Sequence, residues 1–341
     1  MLKVGIIGLG FMGKMHFGVY GKNPKSKVVA IADVDRKKLS GDWSSIGGNI
    51  GDPSARNVDL SGIATYQDAA RLVADPNVDV VDVCVPPESH AKWAIAALKA
   101  GKSVVCEKPI ALSLKDAQRM VDAADRARGN LYIAQCLRFW PEYVAAKQII
   151  DKGKYGKVNA ATFRRVSTAP IWSWQNWYLD SKRSGGAITD LHIHDVDFIN
   201  WAFGLPKAVF AQGLVGAISH IGIDEVFVNY IYGDRPAVFA EGSWMIGRTF
   251  PFSMTFCIEL EKATLEMSVG KPLTLHTARG KAQPVPLIAG DGYTNEIDHF
   301  LRCIQAGKPS SIITPRQAMD ALRVIEAEKK SVATGKVVAV R

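Results

Sequence analysis

The sequence predicts two domains of different class. Residues 1–136 read as an α/β domain with a doubly wound parallel sheet, and residues 137–341 as an α+β domain with a large, mostly antiparallel open sheet. Three observations carry this. A short apolar strand at the start runs directly into a glycine-rich turn and a helix. Strand and helix patterns then alternate to about residue 136. From about Tyr155 the alternation stops, and short strands, several with period-two patterning, dominate. The 341 residues suit two domains, and 48% apolar with 22% charged residues is an ordinary globular balance.

Residues 3–8 read as a buried strand that enters Gly8-Leu9-Gly10-Phe11-Met12-Gly13, and residues to about 21 continue as a helix. Gly-x-Gly-x-x-Gly in a strand–turn–helix context points to dinucleotide binding. Gly8 allows the tight turn, Gly10 lets the backbone approach a pyrophosphate, and Gly13 lets the helix sit close to the strand. The helix start, with Phe11 and Met12, offers free N–H groups and a partial positive charge to the phosphates. Residues 27–33 form the next strand, which ends in Asp33, 20 residues after Gly13. Its carboxylate can accept from the adenosine ribose hydroxyls and would repel a 2′-phosphate, which favours NAD. NADP is the alternative, because Arg36 can fold back onto a phosphate. The stretch 39–62 holds Gly41, Gly47, Gly48, Gly51, Pro53 and Gly62 without a period. It reads as a cover over the adenosine or as a tolerated surface insertion.

Residues 78–85 are a buried strand before Pro86–Pro87, 88–100 a helix closed by Gly101, and 103–108 a further strand. Ser113 caps a helix to about residue 127, and 130–135 is another strand. The ligand crevice of such a sheet lies beyond its carboxyl strand ends, where Pro86, His90, Glu107 and Lys108 fall. His90 either contacts the cofactor or caps and packs its helix. His16 reads as structural. Arg138, just past the last of these strands, is a cofactor or substrate ligand or an interdomain ion-pair partner.

In the second domain, residues 158–166, 208–214, 225–232, 237–245, 254–260, 263–267 and 273–278 read as strands. Helices are expected at about 185–203, 295–306 and 315–333. Trp172, Trp174 and Trp177 cluster with Tyr178 ahead of the first of these. Trp174 and Trp177 are candidate substrate contacts, since aromatic faces stack on sugar rings, and equally candidate core anchors. Asp190 and His194 are four apart, so on the helix expected at about 185–203 they share one face. The pair His192 and His194 does not face one way on a helix, so no metal is expected there, and His192 reads as a packed or capping residue.

The opening glycine motif with His16, the tripeptide Glu107-Lys108-Pro109, and Gly185-Gly186 followed by Asp190, His194 and Asp197 together resemble the Gfo/Idh/MocA family of oxidoreductases. The resemblance covers almost the whole chain. It implies an N-terminal Rossmann domain and an NAD(P)-dependent enzyme moving a hydride between a secondary hydroxyl of a sugar, polyol or glycoside and a nicotinamide. It implies Lys108, Asp190 and His194 as the catalytic set, and a homodimer or homotetramer built through the open sheet. Histidine suits the proton transfer by its ordinary pKa. Lys108 can hold the substrate oxygen and stabilise developing alkoxide charge, and Asp190 can orient the imidazole or bind a substrate hydroxyl. Two alternatives stay open: a glycosidase that oxidises, eliminates and re-reduces with recycled NAD, and a non-catalytic dinucleotide-binding regulator.

Cys84, Cys106, Cys136, Cys257 and Cys303 show no Cys-x-x-Cys spacing, which speaks against a disulfide framework or a cysteine zinc site. The net charge of +9 is dispersed, without the basic stripe of a nucleic-acid binder. No run reaches the length of a membrane span, and the first strand begins close behind Met1, so a cytoplasmic protein with no membrane partner is expected.

Overall fold

A computed structural model describes residues 1–48 and 56–341; Gly51 and Pro53 of the 39–62 stretch lie outside the described residues. The chain divides into two compact units. The first is Met1–Gln135 together with Ile171–Trp177 and Tyr293–Met319. The second is Cys136–Pro170, Tyr178–Gly292 and Asp320–Arg341. A single cut in the sequence therefore does not describe the division, because two later segments return to the first unit.

In the first unit, β1 (Leu2–Ile7), β2 (Ser26–Ala32), β3 (Ala64–Tyr66), β4 (Val80–Val83), β5 (Ser103–Glu107) and β6 (Leu131–Ala134) form a parallel six-stranded sheet in the order β3-β2-β1-β4-β5-β6. The apolar runs predicted as strands are buried on both faces: Val4, Ile6, Val80, Val81, Val83 and Val104 are fully inaccessible. Winding direction reverses between β1 and β4, the place where such sheets open a crevice. Register decides what faces it. Ile7 pairs with Ala32 on one side and Val83 on the other, and Val83 pairs with Cys106. Asp33, Gly8, Cys84 and Glu107, each the next residue along, therefore stand in one row at the carboxyl edge. β3 escaped the sequence reading because three residues are too few for a periodic signal.

In the second unit, β7 (Val158–Val166), β8 (Ala208–Val215), β9 (Ile223–Ile231), β10 (Ala237–Ser243), β11 (Ser253–Leu260), β12 (Ala263–Ser268), β13 (Thr274–Thr277), β14 (Gln283–Pro284) and β15 (Val338–Ala339) form a nine-stranded sheet in the order β14-β13-β12-β11-β7-β10-β9-β8-β15. It is antiparallel except for the β7–β10 pair. Burial alternates along β9: Val226, Val228 and Tyr230 are buried, while Phe227 is 38% exposed. Helices Pro141–Lys152 and Ile193–Phe203 pack on the buried face through Tyr143, Phe163, Phe198 and Phe256, whose rings meet at 4.8–6.1 Å. Pro141–Lys152 was not anticipated, although Pro141 at its first turn and Gly153, in the left-handed region at its end, are ordinary start and stop signals.

The continuous helix expected over 185–203 is instead interrupted. Helices Ser181–Ser184, Ala187–Asp190 and Ile193–Phe203 follow one another. Gly185 and Gly186, at φ 81° and 77°, make the first break. At the second, the His192 N–H reaches back to the Ala187 carbonyl, one residue beyond normal helical spacing. The His192 ring is drawn toward the sheet, where its Nε2 lies 3.0 Å from the Tyr230 hydroxyl. Gly242 of β10 leaves it room: a Cβ there would come within 2.7 Å of the His192 Cβ. Among the described residues, no helix is long and apolar enough to cross a membrane.

Candidate active site

The glycine turn follows β1 and opens helix Phe11–Lys22. Gly8 sits at φ 93°, and a side chain there would press on the Cys84 carbonyl at 2.7 Å. A Cβ on Gly13 would collide with the Gly8 carbonyl oxygen, whereas one on Gly10 would meet nothing within 4 Å. Two of the three glycines thus serve the fold, and Gly10 borders open space. No side chain caps the helix start. Unfilled space beside uncapped N–H groups fits a dinucleotide pyrophosphate.

Asp33 closes the row on the β2 side. Its Oδ2 accepts from the Leu9 N–H at 2.7 Å and its Oδ1 from the Asp35 N–H at 2.8 Å. This holds the carboxylate against the glycine turn, where an adenosine ribose is expected. Lys38, which the sequence reading passed over, is buried with its Nζ 3.6 Å from Asp33 Oδ2. Arg36, the residue singled out for a 2′-phosphate, reaches Gln67 instead, Nε to Oε1 at 3.2 Å. A lysine five positions beyond the carboxylate belongs to no motif, so only the fold reveals it. Described residues of the 39–62 stretch pack close to the turn: a Cβ on Gly48 would collide with the Phe11 ring, and one on Gly47 would meet the Trp172 Cβ at 2.8 Å. Phe11 and Trp172 meet edge to face at 5.5 Å.

Pro86, Glu107 and Lys108 stand at the ends of β4 and β5. Lys108 is half-buried, and its N–H donates to Glu107 Oε2 at 3.1 Å. His90 is fully buried, its Nδ1 2.8 Å from the Pro109 carbonyl and its Nε2 2.8 Å from the Val85 carbonyl. Both ring nitrogens of His90 thus face backbone carbonyls beyond β4 and β5, and a neutral imidazole donates to only one of them. Burial lowers its proton affinity, only partly offset by these carbonyls.

In the second unit the third motif sorts its polar residues. Asp195 forms a two-point pair with Arg165 at 2.8 and 3.0 Å, and Arg165 also donates to the Tyr143 hydroxyl. Asp197 forms a two-point pair with Arg138 at 2.9 and 2.8 Å. Arg138 and Asp197 both belong to the second unit. His192 joins Tyr230, whose hydroxyl donates to Glu328 at 2.9 Å, as the packed residue expected. With His192 and Asp195 so engaged, the metal reading of this motif keeps only Asp190 and His194. Asp190, at the end of its helix, is 9% exposed. In the segment 186–199, all of it described, every residue is buried except His194. Its Nδ1 lies 4.0 Å from Cys136 Sγ. Trp174 is 41% exposed and Trp177 half-buried; both belong to the first unit, as does Trp172.

Residues 2–135 match the family described as oxidoreductases with an NAD-binding Rossmann fold, and residues 143–266 match the GFO/IDH/MocA C-terminal domain. The chain is 31% identical to a myo-inositol 2-dehydrogenase of Thermotoga maritima over 223 residues, which span 65% of this chain and 61% of that protein. It is 26% identical to an inositol 2-dehydrogenase of Rhizobium meliloti over 347 residues, 97% of each. The WlbA dehydrogenase of Bordetella pertussis, solved in complex with NADH and UDP-GlcNAcA, has the same fold, with a TM-score of 0.83 at 20% identity over 100% of this chain and 98% of that one. The glycine turn and Glu107-Lys108-Pro109 fall in the first matched region, Asp190 and His194 in the second, and the chain belongs to the Gfo/Idh/MocA family of NAD-binding oxidoreductases.

Proposed function

We propose that this protein is a dehydrogenase that moves a hydride between a secondary hydroxyl of a sugar, polyol or glycoside and NAD, with Lys108, Asp190 and His194 as its catalytic set. The observation that carries this is the selective exposure of His194 in a segment whose other polar side chains are buried. A proton acceptor must be reachable by substrate, and a purely structural histidine would share the burial of His192. NAD, when bound, supplies the hydride acceptor. Gly8, Gly10, Phe11, Met12, Gly13 and Asp33 hold its phosphates and adenosine ribose, with Pro86, His90, Glu107 and Arg138 shaping or supporting its site. Lys108 holds the substrate oxygen and favours its anionic form. His194 takes the hydroxyl proton, and Asp190 orients the imidazole or a neighbouring hydroxyl. Trp174 and Trp177 offer aromatic faces for a sugar ring. The inositol dehydrogenases among the relatives support the polyol class.

The same reading includes a homodimer or homotetramer through the outer face of the nine-stranded sheet. There Phe227 stacks on Phe239 at 6.4 Å, and Leu214 is 50% exposed.

The test is a screen of the purified protein with NAD against polyols, aldoses and glycosides, reading both NADH and released aglycone. Accumulating NADH is expected. Aglycone release without NADH would replace the dehydrogenase by the recycled-cofactor glycosidase. Neither signal would favour the regulator.

A further inference from the structure

We infer that His16, on the helix that opens the dinucleotide site, is a positioning residue for Lys108 and acts on it through the side chain of Glu107. This rests on the reading of Lys108 as the group that holds the substrate oxygen.

His16 is fully buried on helix Phe11–Lys22. Its Nδ1 lies 2.7 Å from Asp82 Oδ2, on β4, and its Nε2 lies 3.2 Å from Glu107 Oε1, at the end of β5. Cys84 Sγ lies 3.5 Å from Nδ1, and Tyr20 of the same helix packs edge-on at 6.3 Å. The imidazole is thus set between two carboxylates from neighbouring strands. Burial alone would lower its proton affinity, but Asp82 and Cys84 beside it together outweigh this and hold His16 well above the ordinary imidazole value. An imidazolium donates its Nδ1–H to Asp82, while toward Glu107 its Nε2 side makes a charge contact at 3.2 Å without hydrogen-bond geometry.

The consequence passes through Glu107. Its Oε1 faces His16, while its Oε2 accepts the Lys108 N–H at 3.1 Å. With Oε1 drawn to the His16 charge and Oε2 accepting the Lys108 N–H, turning the carboxylate would weaken one or both contacts. Lys108 is therefore registered, by way of one side chain, to the helix that cradles the pyrophosphate. His16, Asp82 and Cys84 also have the composition of a metal site. Here, however, burial and the Asp82 charge push the Cys84 thiol up, which keeps it protonated as a donor to Asp82 Oδ1 at 3.4 Å. The cluster is built to hold protons.

The test is a double-mutant cycle in the full chain, with His16→Gln, Glu107→Gln and the pair, using the alcohol on which the unaltered protein reduces NAD. His16→Gln is expected to lower kcat roughly 10²-fold, as a displaced catalytic group does, with NAD affinity kept within about threefold. The pair should lose no more than the worse single variant, since both act on one path. Additive losses, or an unchanged kcat in folded His16→Gln, would overturn the inference. His16→Gln leaves two carboxylates buried without their cation, so Asp82→Asn/His16→Gln is measured beside it; it removes one charge of each sign and is expected to fold with the same loss of kcat. A crystal structure of either variant gives a readout independent of substrate: Glu107 turned and the Lys108 N–H released supports the role, and an undisturbed Lys108 refutes it. Lys108→Ala separates the two failures. Near-normal turnover there removes the catalytic reading itself, whereas a dead Lys108→Ala beside a fully active His16→Gln removes only the positioning role.

Discussion

At the carboxyl edge of the first sheet, buried charge is concentrated: Asp82, His16 and Glu107 form one cluster behind Lys108. Along residues 186–199 of the second unit it is distributed: Asp195 goes to Arg165, Asp197 to Arg138, and His192 to Tyr230, each pair fixing a different turn. In both places most polar side chains are consumed by partners, and the residue proposed for chemistry is among the few with access to solvent. The concentrated arrangement makes Lys108 depend on groups from a helix and two strands at once. The distributed arrangement pins His194 by backbone, through neighbours whose side chains each hold a different partner.

The largest effects should come from the two proposed catalytic side chains. Lys108→Ala is expected to lower kcat roughly 10²–10³-fold, as loss of a transition-state charge partner does, and His194→Ala roughly 10²–10⁴-fold through loss of a general base. Steady-state kinetics with calorimetric NAD titration checks both: NAD should still bind each variant. An active His194→Ala would mean that the one side chain of its segment that is not buried has another use.

Next in size is the breaking of a distributed anchor. Asp197→Ala removes the two-point carboxylate partner of the buried Arg138, and should cost about 3–5 kcal/mol of stability in denaturant unfolding. If the anchors are independent, Asp197→Ala and Asp195→Ala add; strong coupling would mean that the second unit is also a single cluster.

The smallest effect separates the glycines of the turn. Gly10→Ala has an ordinary φ of −80° and open space for its Cβ, so the fold should be unchanged. NAD affinity should fall about tenfold, or about 1.4 kcal/mol, because the methyl occupies the approach to the pyrophosphate. Equal affinity in Gly10→Ala by titration would place the cofactor elsewhere.

Much of this was legible before the fold. Gly8, Gly10 and Gly13 stand where a tight turn, an open approach and a close helix contact are needed, and the position of Asp33 after β2 brought it to the same row. The helix 185–203 was legible as a helix but not as one interrupted between Asp190 and Ile193, because that second break accompanies a long-range side-chain contact. His192 leaves the helical spacing to reach Tyr230, a residue 38 positions away. Lys38 and the pairing of Arg138 with Asp197 were invisible for the same reason: no local pattern marks which distant carboxylate a cation will meet.

What the sequence determined by itself is the set of properties that depend on near neighbours: the alternation of strands and helices, the glycine turn, the order of the two domains, and the identity of the candidate lysine, aspartate and histidine. Tertiary structure decided which groups face which. Register across parallel strands set Asp33, Gly8, Cys84 and Glu107 in one row, and packing of helix Phe11–Lys22 on that sheet put His16 between Asp82 and Glu107. Both are long-range contacts, fixed by the burial of whole apolar faces, and no spacing along the chain encodes them.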